Sequence, residues 1–210
     1  MVQESRRQEE EARRQREQED LRRQQEQEAL LQRQEEELRQ QGISVFTNPA
    51  NGHKYFLTTP GTWTNAQAQA VAAGGNLVTI NDAAEQAWLG STFGSNQSFW
   101  IGLTDSEQYG TTEGNFKWVS GQPITYTNWW PGEPNNKLDT PEGEDFGEMR
   151  PSFAWNDLPN DSRFIQRGIV EIEANLPSQN QNNGSSSNVS SSNSSSGANT
   201  VISINASSLP

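Results

Sequence analysis

The sequence predicts an α+β domain over residues 43–174, with helices first and short antiparallel strands and long loops after them. A charged helix over 1–42 precedes it and a flexible, disordered Ser/Asn-rich tail over 175–210 follows. Three observations carry this division. All seven Trp, all eight Phe and all three Tyr lie between Ile43 and Glu173, so that span owns the aromatic core. Two helix-patterned segments come before the strand-like runs, an order that argues against a parallel doubly wound sheet. On either side the composition changes abruptly, to Glu, Gln and Arg before Gly42 and to Asn, Ser, Gln and Gly after Glu173.

From Glu4 to Gln41 the pairs Glu9/Arg13, Glu10/Arg14, Glu19/Arg23 and Glu35/Arg39 stand four residues apart, which favours a solvated helix. Leu31 and Leu38 are one heptad apart, but Gln24 and Glu17 hold the same register earlier, so a sustained apolar seam is missing. A weak coiled coil that links copies of the chain and a charged spacer both remain open readings. Gly42 then stops the helix. SVFTNPANGHKYFLT reads as a hairpin around Pro-Ala-Asn-Gly. Thr62 or Thr64 caps a helix with Ala66, Ala70 and Ala73 on one face, and Gly74-Gly75 ends it. LVTI follows as a strand. Asn81 or Asp82 caps a second helix whose apolar stripe is Ala84, Trp88 and Leu89, and Phe99 to Leu103 reads as a buried strand. The tail NQNNGSSSNVSSSNSSSGAN cannot bury enough apolar surface to offset its ordering entropy. The closing TVISINASSLP reads either as one more short strand or as the start of a further element.

Composition narrows the function. A formal charge of −12 disfavours phosphate backbones and anionic lipid surfaces and attracts divalent cations. Nucleic acid is therefore not an expected partner. No 18-residue apolar run is present, so membrane insertion is not expected, and no apolar leader is visible at the N-terminus. Localisation stays open, with an extracellular or surface setting favoured by the function argued below. With no cysteine, a metal has only oxygen ligands and the single His53 to choose from, which favours a hard cation. His53 sits beside the hairpin turn, where a structural role is the simpler reading.

The stretch WWPGEPNN, Trp129 to Asn136, puts Pro and Gly where neither helix nor strand tolerates them, so it is a shaped loop with aimed side chains. Nearby, Glu133, Asn135, Glu144, Asp145, Asn156 and Asp157 each offer a carboxylate or amide oxygen, the ligand type that Ca2+ collects. Crowded carboxylates repel one another, and a bound divalent ion reverses that effect. Singly, GEDFGE and WNDLPND are also ordinary polar turns. Their combination is more specific.

WTNAQAQAVAAGGNLVTIND, FWIGLTD, FKWVSGQPITYTNWWPGEPNN, GED, WND and GIVEIE, in this order, resemble a C-type lectin domain over about 130 of the 210 residues. The resemblance implies a double-looped α+β fold and no enzymatic activity. It implies a principal Ca2+ site of Glu133, Asn135, Glu144, Asn156 and Asp157, with a cis bond before Pro134. Glu133, Asn135, Glu144 and Asn156 would also bind the sugar. In this family two sugar hydroxyls complete the Ca2+ shell, each donating to a carboxylate and accepting from an amide. The Glu-Pro-Asn order implies mannose-type diols, as in mannose, glucose, N-acetylglucosamine or fucose. A second Ca2+ would use Asp105, Glu113, Asn136, Glu144 and Asp145, although Asn136 replaces a frequent carboxylate and the Ser106–Thr112 stretch is enlarged.

The chain departs from the family in lacking two disulfides. Ala70 and Val170 take one pair of positions, which apolar packing can replace; Phe146 and Asn160 take the other, beside the loop that carries Glu144, Asn156 and Asp157. Without that bridge the loop is expected to depend more on its metal. Trp63, Trp88, Trp100, Trp118 and Trp155 are read as core, while one of Trp129 and Trp130 packs and the other borders the site. Two alternatives compete with sugar binding: a scaffold of the same fold that recognises protein or a surface, and a glycoside hydrolase. The second requires a paired acid and base, and no pair of Glu or Asp identifies itself as one.

Overall fold

A computed structural model describes residues 2–137 and 143–174. The expected tail, with TVISINASSLP, lies outside the described residues. Helix α1 (Val2–Gln40) is almost wholly polar. Two of the expected i, i+4 ion pairs form, Glu19–Arg23 at 2.6 Å and Glu35–Arg39 at 2.7 Å, while Arg13 turns to Glu17 at 3.6 Å. Such exposed pairs are worth little each. Gly42 adopts φ +77°, and the chain turns there as Ile43 N–H donates to the Leu38 carbonyl at 2.9 Å.

The leucines of α1 find their partner within the chain. Leu38 is buried, with Leu31 packed beside it, against Phe56, Ala70, Ala73, Val170 and Ile172. An ion pair from Lys54 to Glu35 reinforces the contact. In this stretch α1 is therefore neither a free spacer nor a bare coiled-coil seam: its end is part of the core.

Strands β1 (Phe46–Thr47) and β2 (Lys54–Leu57) form the expected hairpin. Helix α2 (Trp63–Ala72) buries Ala66 and Ala70. Thr62 is its N-cap residue but makes no side-chain cap bond; the Asn160 side chain accepts from Thr64 N–H at 3.1 Å instead. LVTI is shorter as a strand than expected. Only Asn76–Leu77 (β3) pairs in regular register with the last strand, β8 (Arg167–Ile172), although Val78 N–H still donates to the Ile169 carbonyl at 2.8 Å.

Helix α3 (Ala83–Phe93) is capped by Asp82, whose carboxylate accepts from Glu85 N–H at 2.8 Å. Its inner face corrects the expected stripe: Ala84 is exposed and Trp88 half-buried, whereas Glu85, Gln86, Leu89 and Gly90 are buried. The polar pair is satisfied inside, Gln86 by Trp155 Nε1–H at 2.8 Å and Glu85 by Tyr55 O–H at 2.7 Å.

The sheet is completed by β4 (Phe99–Thr104), β5 (Lys117–Trp118), β6 (Phe146–Met149), β7 (Trp155–Leu158) and β8 (Arg167–Ile172). Its order is β1-β2-β8-β4-β6-β7, with β3 on β8 and β5 on β4. One pair, β4 with β8, is parallel, a departure from the all-antiparallel expectation that the long 105–166 excursion between them permits. Gly102 of β4 has a steric reason: a Cβ there would meet the Leu77 carbonyl oxygen, because β3 crosses close by. Trp63, Trp100, Trp118 and Trp155 are fully buried, as expected.

The positions that would carry bridges are filled. Ala70 and Val170 share the apolar cluster under α1. Phe146 packs on Trp63 with centroids 4.7 Å apart, and Tyr109, from the enlarged 106–112 stretch, meets both rings edge-on. An aromatic trio thus surrounds Phe146, one of the two positions that the resemblance assigns to the second bridge, while the other, Asn160, is bonded to α2.

Candidate functional site

The site is built on the β6–β7 hairpin and the loop that precedes it. Register places Asp157 opposite Gly147 and Asn156 opposite Glu148. The loop is stitched to β7 by Trp155 N–H to the Asn128 carbonyl, 2.7 Å, and Trp130 N–H to the Trp155 carbonyl, 2.8 Å. Trp129 packs into the core against Trp155, whereas Trp130 is 45% exposed.

After Trp130 the chain turns sharply. Glu133 N–H donates to the Trp130 carbonyl at 2.9 Å across Pro131 and Gly132, with Gly132 at φ +97°, the pattern of a type II turn. The Glu133–Pro134 bond is cis. Beyond it, Asp157 acts as the anchor: its carboxylate accepts from Asn135 N–H at 3.0 Å and Asn136 N–H at 2.9 Å. Glu144 Oε2 accepts from Lys137 N–H at 2.7 Å, and Glu144 N–H returns a bond to Asn136 Oδ1 at 2.7 Å. Asp157 and Glu144 thereby both hold the 135–137 backbone, and Asn135 Nδ2 donates to Glu133.

The electrostatics are those of a crowded acid site. Burial raises the Glu133 pKa, and the negative charges of Asp157 and Glu144 raise it further, against a smaller opposing effect of Arg150. Asn135 Oδ1 is buried with no hydrogen-bond partner among the described residues. An oxygen lone pair left so is costly unless something electropositive meets it.

Asn156 is buried too, but its amide faces elsewhere: Nδ2 donates to Glu148 Oε1 at 3.2 Å and to the Asp157 carbonyl at 2.8 Å. Glu148, absent from the sequence-based set, also accepts from Arg150 Nε at 3.2 Å and Gln166 Nε2 at 2.9 Å. Its only sequence signal is register, since FGEM paired antiparallel with WNDL sets Glu beside Asn.

A second group lies alongside. Asp105 Oδ2 accepts from Gly114 N–H at 2.8 Å, and Asp105 N–H donates to the Asp145 carbonyl at 3.1 Å. Burial, then the charges of Glu113 and Asp145, push the Asp105 carboxyl up to about 6. Its Oδ1 is buried with no partner among the described residues. The charges of Glu113 and Asp145 thus both reach Asp105, and Asn136 and Glu144 are bonded to each other. Among the described residues, no group of three or more His, Asp or Glu side chains forms a metal cage. Two members of the principal set are amides, and two of its carboxylates are turned onto backbone N–H groups. His53 is remote from the set and pairs with Glu171 at 2.7 Å.

Residues 59–165, just over half the chain, match the model of the Lectin C-type domain. The chain belongs to the C-type lectin family. Human C-type lectin domain family 17, member A is 36% identical over 104 residues, 50% of this chain and 25% of that protein. The mannose-binding protein of Gallus gallus is 38% identical over 95 residues, 44% of this chain and 34% of that protein. The chain thus spans a quarter to a third of the length of these relatives. The cow carbohydrate-recognition domain of CD23, solved in the presence of a GlcNAc2Man3 oligosaccharide, superimposes with a TM-score of 0.52 and 28% identity. That match covers 63% of this chain and all of the cow domain. In this C-type lectin, the loop of Glu133 to Asn136 is held to the β6–β7 hairpin by Asp157. No helix among the described residues is long and apolar enough to cross a membrane.

Proposed function

We propose that this C-type lectin binds carbohydrate through Ca2+ held by Glu133, Asn135, Glu144, Asn156 and Asp157, with mannose-type diols as ligands. One observation carries the reading: Asp157 and Glu144 bond the backbone of the 135–137 segment that follows Glu133, and on that segment the buried Asn135 Oδ1 has no partner among the described residues. These residues fit a hard cation, which takes carboxylate and amide oxygens together and offsets their mutual repulsion. When bound, the ion would supply Lewis acidity toward two sugar hydroxyls. Glu133 and Glu144 would accept their protons in hydrogen bonds, and Asn135 and Asn156 would donate to their oxygens. That role requires one Asn156 N–H to leave Glu148 or the Asp157 carbonyl, or to be bifurcated between its present acceptor and the sugar. Asp105, Glu113, Asn136, Glu144 and Asp145 are proposed for a second Ca2+, with the unpartnered Asp105 Oδ1 in support. The named relatives, a mannose-binding protein and a carbohydrate-recognition domain, agree with recognition rather than turnover.

Calorimetric titration of Ca2+, then of mannose and of galactose, tests the reading. Calcium-dependent heat with mannose and none with galactose is expected, and Glu133→Gln/Asn135→Asp should weaken the mannose response at least about tenfold. Absence of Ca2+ binding would remove the mechanism.

A second reading has its own observation. Asp157 and Glu144 are satisfied by backbone N–H groups, and Asn156 by Glu148, so the loop also holds its shape through protein contacts alone. This favours a lectin-like scaffold that recognises protein or a surface. Tight Ca2+ binding without any sugar heat would support it.

A further inference from the structure

We propose that Trp130 forms a second subsite, a flat aromatic platform beside the sugar-binding loop, and that the ligand is therefore an oligosaccharide whose next ring lies on the indole. The inference rests on the carbohydrate reading above. Among the described residues, Trp130 is the exposed one of seven tryptophans; four are fully buried and Trp88 and Trp129 pack against the core. Exposure of an indole has a solvation cost that a monosaccharide site on Glu133 and Asn135 would not by itself require.

Its placement is fixed from both sides. Trp130 N–H is bonded to the Trp155 carbonyl, one residue before Asn156, and the Trp130 carbonyl accepts from Glu133 N–H. The turn brings the Cα atoms of Trp130 and Glu133 within about 7 Å, so the two side chains leave neighbouring points of the chain. Pro131 and Gly132 are the residues that such a turn selects, so the indole and the Glu133 carboxylate are carried by one rigid unit. Pyranose rings present an apolar C–H face that suits the negative face of an aromatic ring. Glu133 and Asn135 can satisfy hydroxyls on one ring while Trp130 covers the apolar face of the next. Trp130 makes no ring pair with another aromatic side chain among the described residues, and 45% of it stays exposed.

The test compares methyl α-mannoside with linear mannotriose, each titrated with saturating Ca2+ into wild type, Trp130→Ala and Trp130→Phe. Expected is a roughly tenfold loss of mannotriose affinity in Trp130→Ala, with methyl α-mannoside and Ca2+ binding unchanged and Trp130→Phe intermediate. Mannotriose, and not the monosaccharide, should also protect wild-type tryptophan fluorescence from acrylamide. Equal losses for both sugars in Trp130→Ala would place Trp130 in the primary site, and no loss for either would leave it outside any site; each overturns the proposal. If wild type binds Ca2+ but neither sugar, the underlying carbohydrate reading fails and takes this subsite with it.

Discussion

Tyr55 has one hydroxyl proton and two buried carboxylates to satisfy. Its oxygen lies 2.7 Å from Glu85 Oε1 and 3.0 Å from Glu171 Oε1, and Asn51 Nδ2 donates to it at 2.9 Å. Backbone N–H groups of Asn81 and Thr79 serve the outer oxygens of the two acids. His53 completes the set, bonded to Glu171 Oε1, and this bond raises its pKa, with the charges of Glu171, Glu173 and Glu85 adding and burial opposing. The folded pKa therefore lies above the ordinary 6.5, so the stabilisation is complete below 6.5 and is lost as pH rises through the folded value. Burial raises Glu85 as well, which lowers stability in the same direction from 4.5 upward. Melting curves from pH 5 to 9 should fall in wild type above about 6.5, and His53→Gln should flatten that upper fall. A pH-independent wild-type curve would refute the coupling. A second residue-scale prediction concerns Glu148. With three donors on its carboxylate, Glu148→Ala should cost about 1–3 kcal/mol in denaturant melts. At this scale the Glu-Pro-Asn and Trp-Asn-Asp groups were legible as oxygen donors from residue type alone. Glu148 was not, because its partner is set by cross-strand register rather than by neighbours in sequence.

Among the elements, α1 and α3 show where hydropathy patterns stop informing. The Leu31/Leu38 spacing suits another helix, yet these side chains meet α2, β2 and β8 of the same chain. Leu38→Ala should therefore cost about 2–5 kcal/mol in stability with no change in mass by light scattering. Leu21→Ala, at a 55% exposed position, should stay within about 0.5 kcal/mol. Dissociation of an oligomer by Leu38→Ala would instead return the seam reading. In α3, hydropathy points Ala84 inward, whereas the helix turns Glu85 and Gln86 in because Tyr55 and Trp155 offer them hydrogen bonds. The Asp82 cap, the hairpin and the buried β4 were legible since each follows from local chemistry. The parallel β4–β8 pair was not, as it depends on two segments more than sixty residues apart.

For the whole molecule, the ordered run of motifs was enough to indicate the fold, which the match over 59–165 supports. The absence of disulfides is a global property too. Aromatic and apolar packing fills both bridge positions but does not restrain the unfolded chain as a covalent link does. On the calcium reading, saturating Ca2+ should raise the melting temperature clearly, by about RT ln(1 + [Ca2+]/Kd) in free energy, and a chelator should reverse it. An unchanged melting curve would argue against the site.

Helix α1 extends through 39 residues, roughly 60 Å at the usual rise, and Leu31, Leu38 and the Lys54–Glu35 pair clamp its final turns to the lectin fold. The junction at Gly42 is therefore held rather than hinged. On the carbohydrate reading, a partner gripping the far end of the helix would set the direction in which Trp130 and Glu133 face, and a glycan would be met at a preset height and heading.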